Sequence, residues 1–176
     1  MAREYDVRLV YVHFPLHPSL PSEGTTLSKL FAGRGLDVRA MQAQMAQRMK
    51  AEGLAFVPHE HVSNTRLAQE LSAWALGKGV SLVDALYRAN FVEGADLAKH
   101  DVLVAIAKGA GLDESEARSV LEERTHRATI DRQWSEARAL GVSGVPTFVA
   151  GDGGVVGAQP YETLVKLVER AGAKRR

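Results

Sequence analysis

Strand-forming sequence is confined to the two ends of this chain, and that distribution limits the folds open to it. Residues 5–12 (YDVRLVYV) are rich in Val, Tyr and Leu, and the run stops at His13-Phe14-Pro15. Apolar side chains fall on both faces, which predicts a largely buried strand. Strand character then disappears until Val145. Residues 147–150 and 155–157 flank Gly151-Asp152-Gly153-Gly154, a hairpin signal. A sheet must therefore be assembled from opposite ends of the chain.

The stretch between reads as a loop followed by helices. Pro15, Pro18 and Pro21 in HFPLHPSLPSEG demand an extended loop. Residues 36–50 are expected to be helical, with Val38, Met41, Met45 and Met49 along one side and Gly53 as the stop. Asn64 can cap a helix carrying the stripe Leu67, Leu71, Trp74 and Ala75. Ser81 with Asp84 opens the next, carrying Leu82, Leu86 and Tyr87 toward Phe91. Val102, Leu103, Ile106 and Ala107 mark a third. Asp113 with Glu116 resembles a capping box ahead of Val120 and Leu121. A fifth helix carries Ile130, Trp134 and Ala137 and ends at Gly141. After the hairpin, Pro160 suits a first helical turn, and Tyr161, Leu164, Val165 and Val168 share a face. Both tryptophans lie on apolar stripes and read as core residues.

A chain of 176 residues with 45% hydrophobic and 24% charged content fits one soluble globular domain. The net charge of +1 supplies no field to attract nucleic acid or a membrane, and Lys174-Arg175-Arg176 reads as a solvated tail. The apolar run 7–12 is too short for a signal core or a bilayer span, so a cytoplasmic location is expected. The chain contains no cysteine, which excludes disulfides, thiolate chemistry and cysteine metal sites.

Other chemistry finds little support. His59-Glu60-His61 and the pair His13, His17 read as loop histidines, because no third metal ligand stands at a recognisable spacing. Glu114, Glu116, Glu122 and Glu123 read as a solvated helix face. P-loop, nucleophile-elbow and dinucleotide-binding motifs are missing. No metal and no cofactor are expected.

GVSGVPTF (141–148) followed by GAQPYE (157–162) carries a resemblance. The chain resembles the DsbA family of thioredoxin-fold thiol–disulfide oxidoreductases, and more closely its FrnE-like cytoplasmic branch. FPLHPSLPSEG, NTRLAQEL, ALYRANFVEGADLAKHDVLVAIAKGAGLD and LVKLVERAG fit that branch in the same order. The resemblance implies an α/β, thioredoxin-like (DsbA-type) fold over residues 1–176. Residues 1–20 and 141–176 would form the thioredoxin part, and residues 26–140 a large, predominantly helical insertion. It also implies that Val145-Pro146 is a cis bond and that Val145, Pro146 and Thr147 form the substrate-binding loop. The residues alone favour an ordinary trans proline starting an edge strand.

The chain departs from the family pattern at its start. Members begin with a strand and a C-x-x-C motif at a helix N-terminus, where the helix lowers the thiol pKa. Here the sequence enters the pattern after both, as if N-terminally truncated, so no residue inherits the catalytic cysteine role. Three functions stay open: an oxidoreductase relative without dithiol activity, a glutathione-dependent isomerase of the 2-hydroxychromene-2-carboxylate type, and a non-catalytic module. The partner would be a polypeptide or a small thiol, with nucleic acid and membrane excluded. In the family order, the absent strand lies between those matching 5–12 and 147–150. Strands lie about 4.8 Å apart, so a slot about 10 Å wide would remain, inviting self-association.

Overall fold

The computed structural model describes residues 1–176, which divide into two compact units. One comprises His17–Ile130; the other comprises Met1–Leu16 with Asp131–Arg176.

The unit His17–Ile130 is mainly helical. It opens with β1 (Thr25–Thr26), α1 (Leu27–Leu30) and α2 (Val38–Ala51). β2 (His61–Val62) pairs antiparallel with β1, Thr25 opposite Val62. Gly24 allows that pairing, because its φ is 77° and a Cβ there would stand 2.4 Å from the Val62 carbonyl oxygen. The helices α3 (Arg66–Gly77), α4 (Val83–Phe91), α5 (His100–Gly109) and α6 (Glu114–Glu123) follow. Their stripes meet in one core containing Leu71, Trp74, Leu82, Leu103 and Leu121. Burying side chains of this size stabilises a fold by about 1.5–3 kcal/mol each. Of the expected caps, Asp113 caps α6. α3 instead starts from Thr65, one residue after Asn64, and α4 from Leu82, one residue after Ser81; neither Thr65 nor Leu82 makes a side-chain cap bond. The Arg66 N–H donates to Asn64 Oδ1 at 3.0 Å, and the Glu116 N–H donates to Asp113 Oδ1 at 2.8 Å.

Two departures stand out in this unit. The helix expected over 36–50 runs from Val38 to Ala51, because Asp37 Oδ1 accepts from the Arg39 and Ala40 N–H groups and so fixes the start. At the end of α6, Arg124 adopts the left-handed conformation with φ 56°. Its guanidinium grips Glu70, a side chain with no exposed surface, through bonds of 2.7 Å to each carboxylate oxygen. Arg66 adds a third bond of 2.7 Å to Oε1.

α7 (Arg127–Ala139) crosses from one unit into the other. In the second unit, β3 (Thr147–Ala150) and β4 (Gly153–Val156) form an antiparallel hairpin, and α8 (Tyr161–Arg170) follows Pro160. The second strand begins earlier than residues 155–157, because Gly151-Asp152 alone closes the turn, with Ala150 opposite Gly153. Gly151 has φ 59° and Asp152 is not left-handed, as a type II′ turn requires. α8 lies close against the hairpin: a Cβ on Gly153 would be 3.1 Å from Leu167 Cδ1.

Residues 5–12 do not form the expected buried strand. Tyr5 makes a single antiparallel bridge to Arg175, flanked by Asp6 N–H to the Lys174 carbonyl and Arg176 N–H to the Glu4 carbonyl. Beyond Val7, residues 8–12 make no main-chain to main-chain hydrogen bond. Leu9, Val10, Tyr11 and Val12 are each more than half exposed. A strand is a pairing rather than a conformation, and β3 pairs only with β4. No helix is long and apolar enough to cross a membrane.

Candidate functional site

The site is built around the turn that leads into β3. Gly141, with φ 74°, ends α7 by donating its N–H to the Arg138 carbonyl. The chain then passes through Val142, Ser143 and Gly144 to Val145-Pro146, whose peptide bond is cis. Thr147 Oγ1 donates to the Gly144 carbonyl at 2.7 Å and closes this turn on itself. Pro146 has no N–H to give, and its carbonyl accepts from Gly157 at 2.7 Å.

The hairpin register fixes which main-chain groups remain available. Across a two-residue turn the closing pair, here Ala150 and Gly153, is hydrogen-bonded, and bonding then alternates along the ladder. Phe148 with Val155 is the next bonded pair, and the Gly157-to-Pro146 bond continues the series. Val145, Thr147 and Val149 consequently direct N–H and C=O away from β4, and no main-chain partner meets them. Val145 and Val149 are half exposed, at 50% and 52%. The same alternation turns the side chains of Val149 and Val156 away from α8, and Val156 is 56% exposed.

This ledge carries no charge: residues 141–150 (GVSGVPTFVA) contain no titratable side chain. It can therefore do main-chain recognition of an extended segment, with small apolar contacts beside it. Its only side-chain polar groups are the hydroxyls of Ser143 and Thr147, with no titratable group among residues 141–150 beside them. The expected loop Val145, Pro146 and Thr147 is brought together here; Val149 extends the edge and was not anticipated. Its signal was the alternation of β3 itself.

His13, His59 and His61 do not belong to this ledge. The His13 N–H and Nδ1 both meet Gln133 Oε1, at 3.1 and 2.8 Å, and burial holds the ring below its usual 6.5 against the opposing pull of that bond. His59 Nδ1 faces the Val57 carbonyl. His61 Nε2 lies 3.2 Å from Asp96 Oδ1 but out of line for a hydrogen bond. No three of the His, Asp and Glu side chains converge as a metal site would require.

A hairpin backed by a C-terminal helix fits a protein of the thioredoxin class. The chain belongs to the DSBA-like thioredoxin domain family, whose model matches residues 1–169. Among solved structures, a probable DsbA oxidoreductase from Streptomyces coelicolor is 32% identical, with a TM-score of 0.83 over 94% of this chain and 76% of that one. A 2-hydroxychromene-2-carboxylate isomerase, 18% identical, shares the fold, with a TM-score of 0.67 over 97% of this chain and 83% of its own. An uncharacterised Bacillus subtilis protein, YwbO, is 28% identical over 102 residues, which is 56% of this chain and 50% of that protein. The match thus spans half the length of that curated relative.

Proposed function

We propose that this chain is an FrnE-like member of the DsbA-like family that holds an extended polypeptide along Val145, Thr147 and Val149 and performs no dithiol chemistry of its own. One observation carries the reading: three alternate residues present unpaired main-chain donors and acceptors in a row, beginning at the cis-proline turn. An added strand satisfies those groups, whereas a compact ligand satisfies one or two of them. Thiol–disulfide exchange passes through an attacking thiolate, and the chain has no cysteine to supply one.

The test is a titration with an uncharged, proline-free extended peptide, followed through the backbone amide resonances of residues 145, 147 and 149. Saturable downfield shifts are expected at those three, and N-methylation of alternate peptide residues should abolish them. An insulin-reduction assay should stay at the buffer rate. Catalysed reduction in protein free of contaminating oxidoreductase refutes the redox half of the proposal. Saturable binding of glutathione at this turn, with no response to peptide, favours the isomerase-type reading instead.

A further inference from the structure

Two stretches of this chain each hold what the other lacks. Residues 8–12 (RLVYV) make no main-chain to main-chain hydrogen bond. Leu9, Val10, Tyr11 and Val12 are consecutive, so an extended chain sends them to both faces, and all four are more than half exposed. The segment is nevertheless held at both ends. On one side the Asp6 N–H donates to the Lys174 carbonyl and the Tyr5 hydroxyl to Glu169. On the other, the His13 N–H and ring meet Gln133 Oε1. Between these ties lies a short run of strand-forming side chains with no strand beside it.

The other stretch is the outer edge of β3, where Val145, Thr147 and Val149 direct N–H and C=O away from β4. The two are equal in length, residues 145–149 against residues 8–12. Neither 9–12 nor 141–150 carries a charge, so laying one along the other buries none. They do not pair within the chain: β3 pairs only with β4, and the one bridge beside 8–12 is that of Tyr5 with Arg175.

We infer that residues 8–12 of a second copy of this chain lie along the outer edge of β3 as an added strand, and that the exchange is reciprocal, so that each copy occupies the other's site. The inference rests on the strand-holding role proposed for that edge and names its resident occupant. A segment tied at both ends loses less freedom on pairing than a free peptide does. Donor and acceptor are different surfaces, and such a contact closes with two copies when it is made twice. The closed pair satisfies both stretches of both copies. Pairing of two β3 edges leaves 8–12 open in each copy, and pairing of two 8–12 segments leaves both edges open. A polypeptide client then binds by displacing the partner's segment, so its apparent affinity falls as the protein concentration rises.

The test separates donor from acceptor. Val10→Pro with Tyr11→Pro removes adjacent N–H groups from the segment, blocking either register, and breaks no main-chain bond the chain makes within itself. Val149→Pro removes an outward N–H of β3 and spares the bonds to β4. In sedimentation, the unaltered chain should be a dimer and each variant alone a monomer. An equal mixture of the two variants should form a heterodimer about a hundredfold weaker than the unaltered dimer, because one strand pairing of two remains. Should a variant fail to fold, a dimer mixed from differently labelled unaltered copies should show contacts between copies from 8–12 to 145–149. An unaltered chain that stays monomeric, a folded segment variant that still dimerises, a mixture of folded variants that stays monomeric, or a dimer without those contacts overturns the inference. The folded segment variant, its edge unoccupied, should bind the extended peptide more tightly than the unaltered chain. Its binding of that peptide reports on the edge alone: binding without self-association sinks only this inference, whereas no binding sinks the strand-holding reading as well.

Discussion

Replacing Glu70 by glutamine should be among the most damaging single changes to the helical unit, although it keeps the size of the side chain. Glu70 has no exposed surface, and its carboxylate receives Arg66 Nε, Arg124 Nε and Arg124 Nη2, each at 2.7 Å. The carboxylate ties α3 to Arg124 at the end of α6, and Arg66 also donates Nη2 to the Arg127 carbonyl at the start of α7. In Glu70→Gln one oxygen still accepts, but the amide nitrogen turns donors toward guanidinium donors, and two cations lose their shared counter-charge. Breaking a buried pair by removing one partner costs about 3–5 kcal/mol. For a chain of this length about 1 kcal/mol corresponds to 2–4 °C, so the melting temperature should fall by about 6–20 °C.

The same clamp sets a pH dependence. Burial alone pushes the Glu70 carboxyl up, but the hydrogen bonds from Arg124 and then Arg66, with the charges behind them, outweigh it and hold the group below its ordinary 4.5. A carboxylate depressed in the folded state contributes stability that is fully present above its unfolded value and is lost as pH falls through the folded one. The gap between the unaltered protein and Glu70→Gln should therefore be widest at neutral pH and should close as pH drops below 4.5. Thermal melts by circular dichroism across that range check both statements. A neutral-pH difference under about 2 °C, or one that stays constant into acid, refutes the reasoning.

Three further outcomes are expected. Gly24→Ala should cost on the order of 1–2 kcal/mol from its left-handed backbone alone, and more because the new Cβ meets the Val62 carbonyl at 2.4 Å; loss of amide protection across β1 and β2 reports it. Ser63→Ala should cost about 1–3 kcal/mol by stranding the Leu97 N–H, which Ser63 Oγ accepts at 3.0 Å in a buried setting, as a chemical melt will show. Tyr5→Phe removes the 2.7 Å bond from the Tyr5 hydroxyl to Glu169, so the amides of Asp6 and Arg176, which tie the two chain ends together, should exchange faster with solvent.

The helical middle was legible because its signals are local. Leu71, Trp74, Leu82, Leu103 and Leu121 were named from helical spacing, and all five are buried together. Spacing says which residues share a face and not whether anything covers it: Met41 and Met45 share one side of α2 as expected, and both are exposed. Residues 5–12 failed for the same reason, since strand propensity cannot supply the neighbouring strand. The Glu70 clamp was half visible: Arg66 stands at i−4, but Arg124 is 54 positions away and arrives only through the packing of α3 and α6.

The ledge shows a more forgiving case. A four-residue turn, Gly151 to Gly154, was expected, and the hairpin uses two residues, so β4 begins two positions early. Side chains and main-chain bonding in a strand alternate with a period of two. A two-residue error therefore preserves which face each residue occupies, whereas an error of one inverts it. In either register the first strand closes at Ala150, so Phe148 and Pro146 look toward β4 while Val149, Thr147 and Val145 look outward. The set of residues offered to a partner is thus fixed by where β3 ends rather than by where β4 begins. Moving that end by a single residue, as an insertion between Val149 and Ala150 would, should turn the outward row inward and abolish strand binding while leaving the hairpin itself intact.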